Sequence, residues 1–163
     1  MYRQMLSATQ QESRAKNAVA EFLFRELIVP KVFFDAPWPN GRKRVDVLAV
    51  DRSGSGEIHA VEIMAGTNSL TRIRQAVDDL GDIPAHFKYL ALFGNKNYRV
   101  DSRILYAPDG LGRVGVIQVK EDSAGDLSVE FSIRPERFGL NSSVFEMIDK
   151  FTAARYPNIE IRP

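Results

Sequence analysis

Residues 44–64 read Arg-Val-Asp-Val-Leu-Ala-Val-Asp-Arg-Ser-Gly-Ser-Gly-Glu-Ile-His-Ala-Val-Glu-Ile-Met, and the fold class turns on this stretch. Arg44 to Val50 reads as a buried strand, Asp51 to Gly56 as a polar, glycine-rich turn, and Glu57 to Met64 as the returning strand. Side chains alternate faces along a strand. Asp46, Leu48 and Val50 are therefore expected on one face, and Ile58, Ala60, Glu62 and Met64 on one face of the next strand. Pairing Val50 with Ile58 sets Asp46 opposite Glu62, with Cβ atoms about 5 Å apart. A slip of one residue would separate the two acids onto opposite faces.

Elements of both periods flank this hairpin. Upstream, Thr9 to Ile28 reads as a helix, with Ala15, Ala18, Val19, Phe22 and Leu23 at helical spacing and Pro30 as its stop. Lys31 to Asp35 is a short strand, and Ala36 to Gly41 has turn chemistry. Downstream, Ser69 to Leu80 carries one apolar stripe, Leu70, Ile73, Val77 and Leu80. Phe87 to Phe93 reads as a strand, Val114 to Lys120 and Leu127 to Ile133 as a hairpin, and Ser143 to Ala154 as a closing helix. This order predicts an α/β fold with a single mixed sheet flanked by helices. With 163 residues and no linker, one domain spanning 1–163 is expected.

The 44% of hydrophobic residues suits a buried core. Basic and acidic residues number 22 and 21, so any contact with DNA or RNA must come from a local patch rather than overall charge. Cysteine is absent, which rules out disulfides and thiolate metal sites and suits a cytoplasmic location. The N-terminus lacks the apolar run of a secretory signal, and no stretch reaches the roughly 18 apolar residues of a membrane span. Two histidines without cysteine argue against zinc. Phosphate-binding glycine loops and a GxSxG elbow are also missing.

Two facing carboxylates repel unless a proton or a cation lies between them, and two carboxylates with water are a common Mg²⁺ or Mn²⁺ arrangement. Glu12 falls near the apolar stripe of the first helix and is a candidate third oxygen ligand. The competing reading is that Arg42, Lys43 and Arg44 neutralise the acids without metal. Trp38 with Arg42, Lys43 and Arg44 is the candidate nucleic-acid contact, the indole stacking on a base and the cations gripping phosphate; alternatively, Trp38 pins its loop. His59 reads as structural, His86 as a loop residue ahead of a strand, and Gln75, opposite the apolar stripe, as solvated.

Glu12 on the first helix, Arg44-Val-Asp46 opening a strand, Val61-Glu62-Ile63-Met64 closing the next, then helix 69–80 and strand 87–93, together resemble the PD-(D/E)xK superfamily. The resemblance covers residues 9–94 and implies a restriction endonuclease-like αβββαβ core, with 95–163 completing the sheet. It implies metal ligation by Glu12, Asp46 and Glu62, and Mg²⁺-dependent hydrolysis of phosphodiesters. The family's lysine falls at Met64, whose thioether carries no charge and no acidic proton. A relocated lysine is then required, with Lys88 as the expected catalytic partner of Asp46 and Glu62 and Arg44 as a second candidate. The alternative is a catalytically inactive descendant that binds nucleic acid or protein. An unrelated α/β domain with two solvated acids is a third reading.

Overall fold

Ala15, Val19 and Leu23 lie on one stripe of a helix and are all fully buried. A helix with one such stripe must lay it on another layer, here a sheet. The computed structural model describes residues 8–27, 30–37, 44–51, 57–65, 69–83, 85–94, 100–106 and 112–138. The helix is α1 (Ala8–Glu26). Strands β1 (Pro30–Pro37), β2 (Arg44–Asp51) and β3 (Ile58–Ala65) follow, then helix α2 (Leu70–Gly81) and strands β4 (Phe87–Phe93), β5 (Gly115–Glu121) and β6 (Leu127–Ile133). The six strands form one sheet in the order of the chain. β1–β2–β3 is an antiparallel meander, β3–β4 and β4–β5 are parallel, and β5–β6 is antiparallel.

This is the mixed α/β sheet that the sequence predicts, and Val50 pairs with Ile58 in the expected register. The expected closing helix, Ser143 to Ala154, lies outside the described residues. A 3₁₀ turn at Ser102–Leu105 was not anticipated; it buries Leu105 completely. Ser69 is the N-cap of α2 rather than its first residue, its hydroxyl accepting from the N–H of Arg72 at 3.2 Å.

Two apolar clusters sandwich the sheet. Under α1 lie Val47, Ala49, Val61, Ile63, Tyr89 and Ala91. Under α2 lie Leu48, Ile58, Ala60, Met64, Leu90 and Leu92. β4 reads as a nearly continuous apolar run because both of its faces are covered.

The alternation fails at one place. Val47 faces α1 and Leu48 faces α2, so strict alternation would put Val45 under α1; it lies in the α2 cluster instead. β1 shows the same slip, since both Phe33 and Ala36 lie in the α2 cluster. The cross-strand pairs Phe34↔Val47 and Ala36↔Val45 bracket the break. Between them sits Asp35 in the left-handed backbone region, at φ 48°. That conformation costs most L-residues about 1–2 kcal/mol and is best tolerated by Gly, Asn and Asp. The expectation that Asp46 shares a face with Leu48 and Val50 is thereby corrected.

His59 and His86 are both buried at the start of the parallel strands. His86 Nδ1 accepts from the N–H of Ile58 at 2.8 Å, and the His59 ring stacks on Phe87 and bonds the Tyr89 hydroxyl at 2.9 Å. Burial holds the His59 imidazole down at about 4, and burial also lowers His86. A histidine whose folded pKa is depressed stabilises the fold above its ordinary pKa and loses that contribution as the pH falls. Relative to a His59→Phe variant, which cannot take up the proton, the wild type should therefore lose stability in urea as the pH falls from about 6.5 to about 4.

Candidate active site

Val47↔Val61 is the last backbone pair at this end of the β2–β3 ladder. Beyond it a side chain takes over, as Asp46 Oδ2 accepts from the backbone N–H of Ile63 at 2.7 Å. The same carboxylate meets α1, with Lys16 Nζ 4.0 Å from its Oδ1. Lys16 also lies 2.6 Å from Asp35 and 3.3 Å from Glu12, and its side chain is only 16% exposed. Carboxylates from α1, β1 and β2 thus converge on one ammonium.

Glu62 follows Val61 on β3, half-buried on the strand that pairs with β2. Its neighbours in charge are Asp46, Asp79 of α2, Glu12 and Lys16. Burial first, then the anionic neighbours, push its carboxyl up to about 8; no hydrogen bond from a described residue offsets them. Burial also pushes Asp46 up to about 6, although the Ile63 N–H and Lys16 pull it down. Burial lowers Lys16, yet the Asp35 hydrogen bond and the charges of Asp46, Asp35 and Glu12 outweigh it and hold the ammonium above its ordinary pKa. Among the described residues, Glu12, Asp35, Asp46 and Glu62 share the charge of Lys16.

The other expected site residues are placed as follows. Glu12 is engaged by Lys16 one turn along α1, and among the described residues no three His, Asp or Glu side chains are grouped to hold a metal. Asp46 and Glu62 lie within reach of each other's charge, but Asp46 turns to Lys16 of α1, whereas Glu62 is in phase with Ala60 and Met64, which pack toward α2. Lys88 is 4% exposed, donates to the Gly81 carbonyl at 3.1 Å, and stands over the Phe138 ring at 4.1 Å. It pairs with Ala60, two residues before Glu62. Arg44 is exposed at the head of β2. Trp38, Arg42 and Lys43 lie outside the described residues. Gln75 is exposed and donates to Asp79 at 3.0 Å. Met64 is 5% exposed within the apolar cluster under α2.

Sequence reasoning missed Lys16, Asp35 and Asp79. The signal for Lys16 was the i,i+4 spacing from Glu12, which puts the two on one side of a helix. Asp35 gave none, since a left-handed residue leaves no mark in a hydrophobic pattern.

No family model matches the chain, and no curated protein matches it. A solved structure, the SPO1766 protein of unknown function from Silicibacter pomeroyi, is similar over 91% of this chain and 86% of its own, with a TM-score of 0.57 at 19% identity. At that identity the likeness extends to the fold.

Two outcomes follow. A carboxyl whose folded pKa is raised favours folding below its ordinary pKa and loses that contribution as the pH climbs to the folded value. Wild type and Glu62→Gln should be similar in urea near pH 4.5, with the variant more stable at pH 8 by about 1–2 kcal/mol after discounting for solvent screening. Met64→Lys should destabilise the fold by on the order of 3 kcal/mol, because it inserts an ammonium among apolar side chains. A Met64→Lys protein as stable as wild type would contradict the placement of Met64 in the core.

Proposed function

We propose that the chain is a phosphodiester hydrolase of the restriction endonuclease-like kind, acting on nucleic acid with a divalent metal held by Asp46 and Glu62. The observation that carries this reading is that Asp46 and Glu62 stand half-buried on neighbouring strands at the point where the Asp46 side chain replaces the β2–β3 ladder. The order of elements supports it: a helix, an antiparallel meander, a second helix and a parallel strand succeed one another as the αβββαβ core requires.

The pair fits a divalent cation. Mg²⁺ is commonly bound by one or two carboxylates, the rest of its shell being water and substrate phosphate. Two half-buried carboxylates that resist ionisation next to each other are stabilised by a charge placed between them. Once bound, such an ion would supply Lewis-acid polarisation of the phosphate and a lowered pKa for an attacking water.

The remaining work falls to groups of this chain. The Ile63 N–H fixes the orientation of the Asp46 carboxylate. Lys16, kept protonated by its acidic neighbours, is the cation nearest Asp46 among the described side chains and would offset charge on a phosphate bound beside that carboxylate. Met64 lies in the core and contributes packing.

A second reading, a non-catalytic module on the same fold that binds nucleic acid or protein, draws on a different observation. Met64 stands where the resemblance requires lysine, and it packs in the apolar core under α2. Calorimetric titration of Mg²⁺ and Mn²⁺ into wild type and Asp46→Asn, followed by incubation with single- and double-stranded DNA and RNA, separates the two. Saturable binding weakened at least tenfold in the variant, with metal-dependent cleavage by wild type only, is the expected result. Binding without cleavage across the panel would favour the module, and neither binding nor cleavage would remove the hydrolase reading.

A further inference from the structure

We propose that Asp35 is the positioning residue of this site: its left-handed backbone turns Asp46 out of the α2 face and its carboxylate fixes Lys16 beside it. The metal-binding part of this inference rests on the hydrolase reading; the positioning part does not.

On a regular β2, Asp46 would follow Leu48 and Val50 to the α2 side, where both of those side chains pack. It would then be remote from α1. The structure instead gives Asp46 an ion pair with Lys16 of α1. The change of phase occurs in β1 and β2 together, between the pairs Phe34↔Val47 and Ala36↔Val45. The one non-glycine with positive φ among the described residues lies there, at Asp35. Register is preserved on both sides of the break, so the break redirects side chains without shifting the pairing. Such a defect is a positioning device of the same kind as a β-bulge.

The side chain adds a second function. Asp35 Oδ1 is the nearest acid oxygen to Lys16 Nζ, at 2.6 Å against 3.3 Å for Glu12 and 4.0 Å for Asp46. Asp35 is itself exposed, so the hydrophobic core does not demand it. Asparagine would tolerate the same backbone but offers no charge, and glycine would tolerate it with no side chain at all. Aspartate is the residue that meets both requirements.

The two roles separate in three full-length variants, Asp35→Gly, Asp35→Asn and Asp35→Ala, followed by ¹⁵N NMR and Mn²⁺ calorimetry. The Ile63 amide reports the seat of Asp46 through its hydrogen-exchange protection, and the Lys16 ammonium signal reports the clasp. Asp35→Ala should lower Ile63 protection by about tenfold, the equivalent of the left-handed penalty, and weaken Mn²⁺ by a similar factor. Asp35→Gly and Asp35→Asn should keep Ile63 protection within about threefold of wild type while losing the slowly exchanging Lys16 signal. Ile63 protection unchanged in Asp35→Ala would overturn the backbone role. Loss of protection in Asp35→Gly equal to that in Asp35→Ala would overturn it as well, since glycine retains the conformation. If Asp35→Ala does not fold, the glycine and asparagine variants decide alone: retained Ile63 protection upholds the proposal and its loss ends it. Wild type that binds no Mn²⁺ would count against the hydrolase reading, while the Ile63 measurement would still judge Asp35.

Discussion

A carboxylate withdrawn from water must be given back its solvation by donors or by opposite charge, and one end of the sheet is organised around that demand. Asp46 receives the Ile63 N–H on one side and Lys16 on the other. Glu62, two steps from Met64 and equally withdrawn, receives no hydrogen bond from a described residue. The asymmetry explains why Glu62 is displaced further from the ordinary carboxylate range than Asp46 is. Helices on both faces make the problem unavoidable, because they bury the strands that carry the acids.

Much of this framework was readable from residue order. The alternation from Arg44 to Met64 gave the hairpin and its register, since only one phase buries Leu48 and Ala60 together. The stripe Leu70, Ile73, Val77 and Leu80 gave α2; Ile73, Val77 and Leu80 are buried, whereas Leu70, at the start of the helix, is 54% exposed. The apolar run of β4 was equally plain, but not the course of Lys88 within it: a lysine in a strand covered on both faces must end on an acceptor, and one that it finds is the Gly81 carbonyl at the end of α2. Periodicity says where a side chain starts, not where a four-carbon stem delivers its charge.

The acid cluster was legible only in part, for a similar reason. Asp46 and Glu62 belong to neighbouring strands, so their proximity follows from local pairing. Lys16 reaches Asp46 across 30 positions of sequence, through the packing of α1 on β2 and β3, which no local pattern encodes. The face of Asp46 was read incorrectly because strict alternation was assumed through a strand that breaks it at Asp35.

The same break bears on how the molecule behaves in a crowd. Among the described residues β1 is an outer strand of the sheet, and an outer strand offers a row of unpaired backbone groups to any passing extended chain. β1 begins and ends with proline, which has no N–H to offer, and its run of extended backbone is interrupted at Asp35. A foreign strand would find an edge broken near its C-terminal end, with a carboxylate at the break. The feature that aims Asp46 thus also protects this border of the sheet from edge-to-edge aggregation.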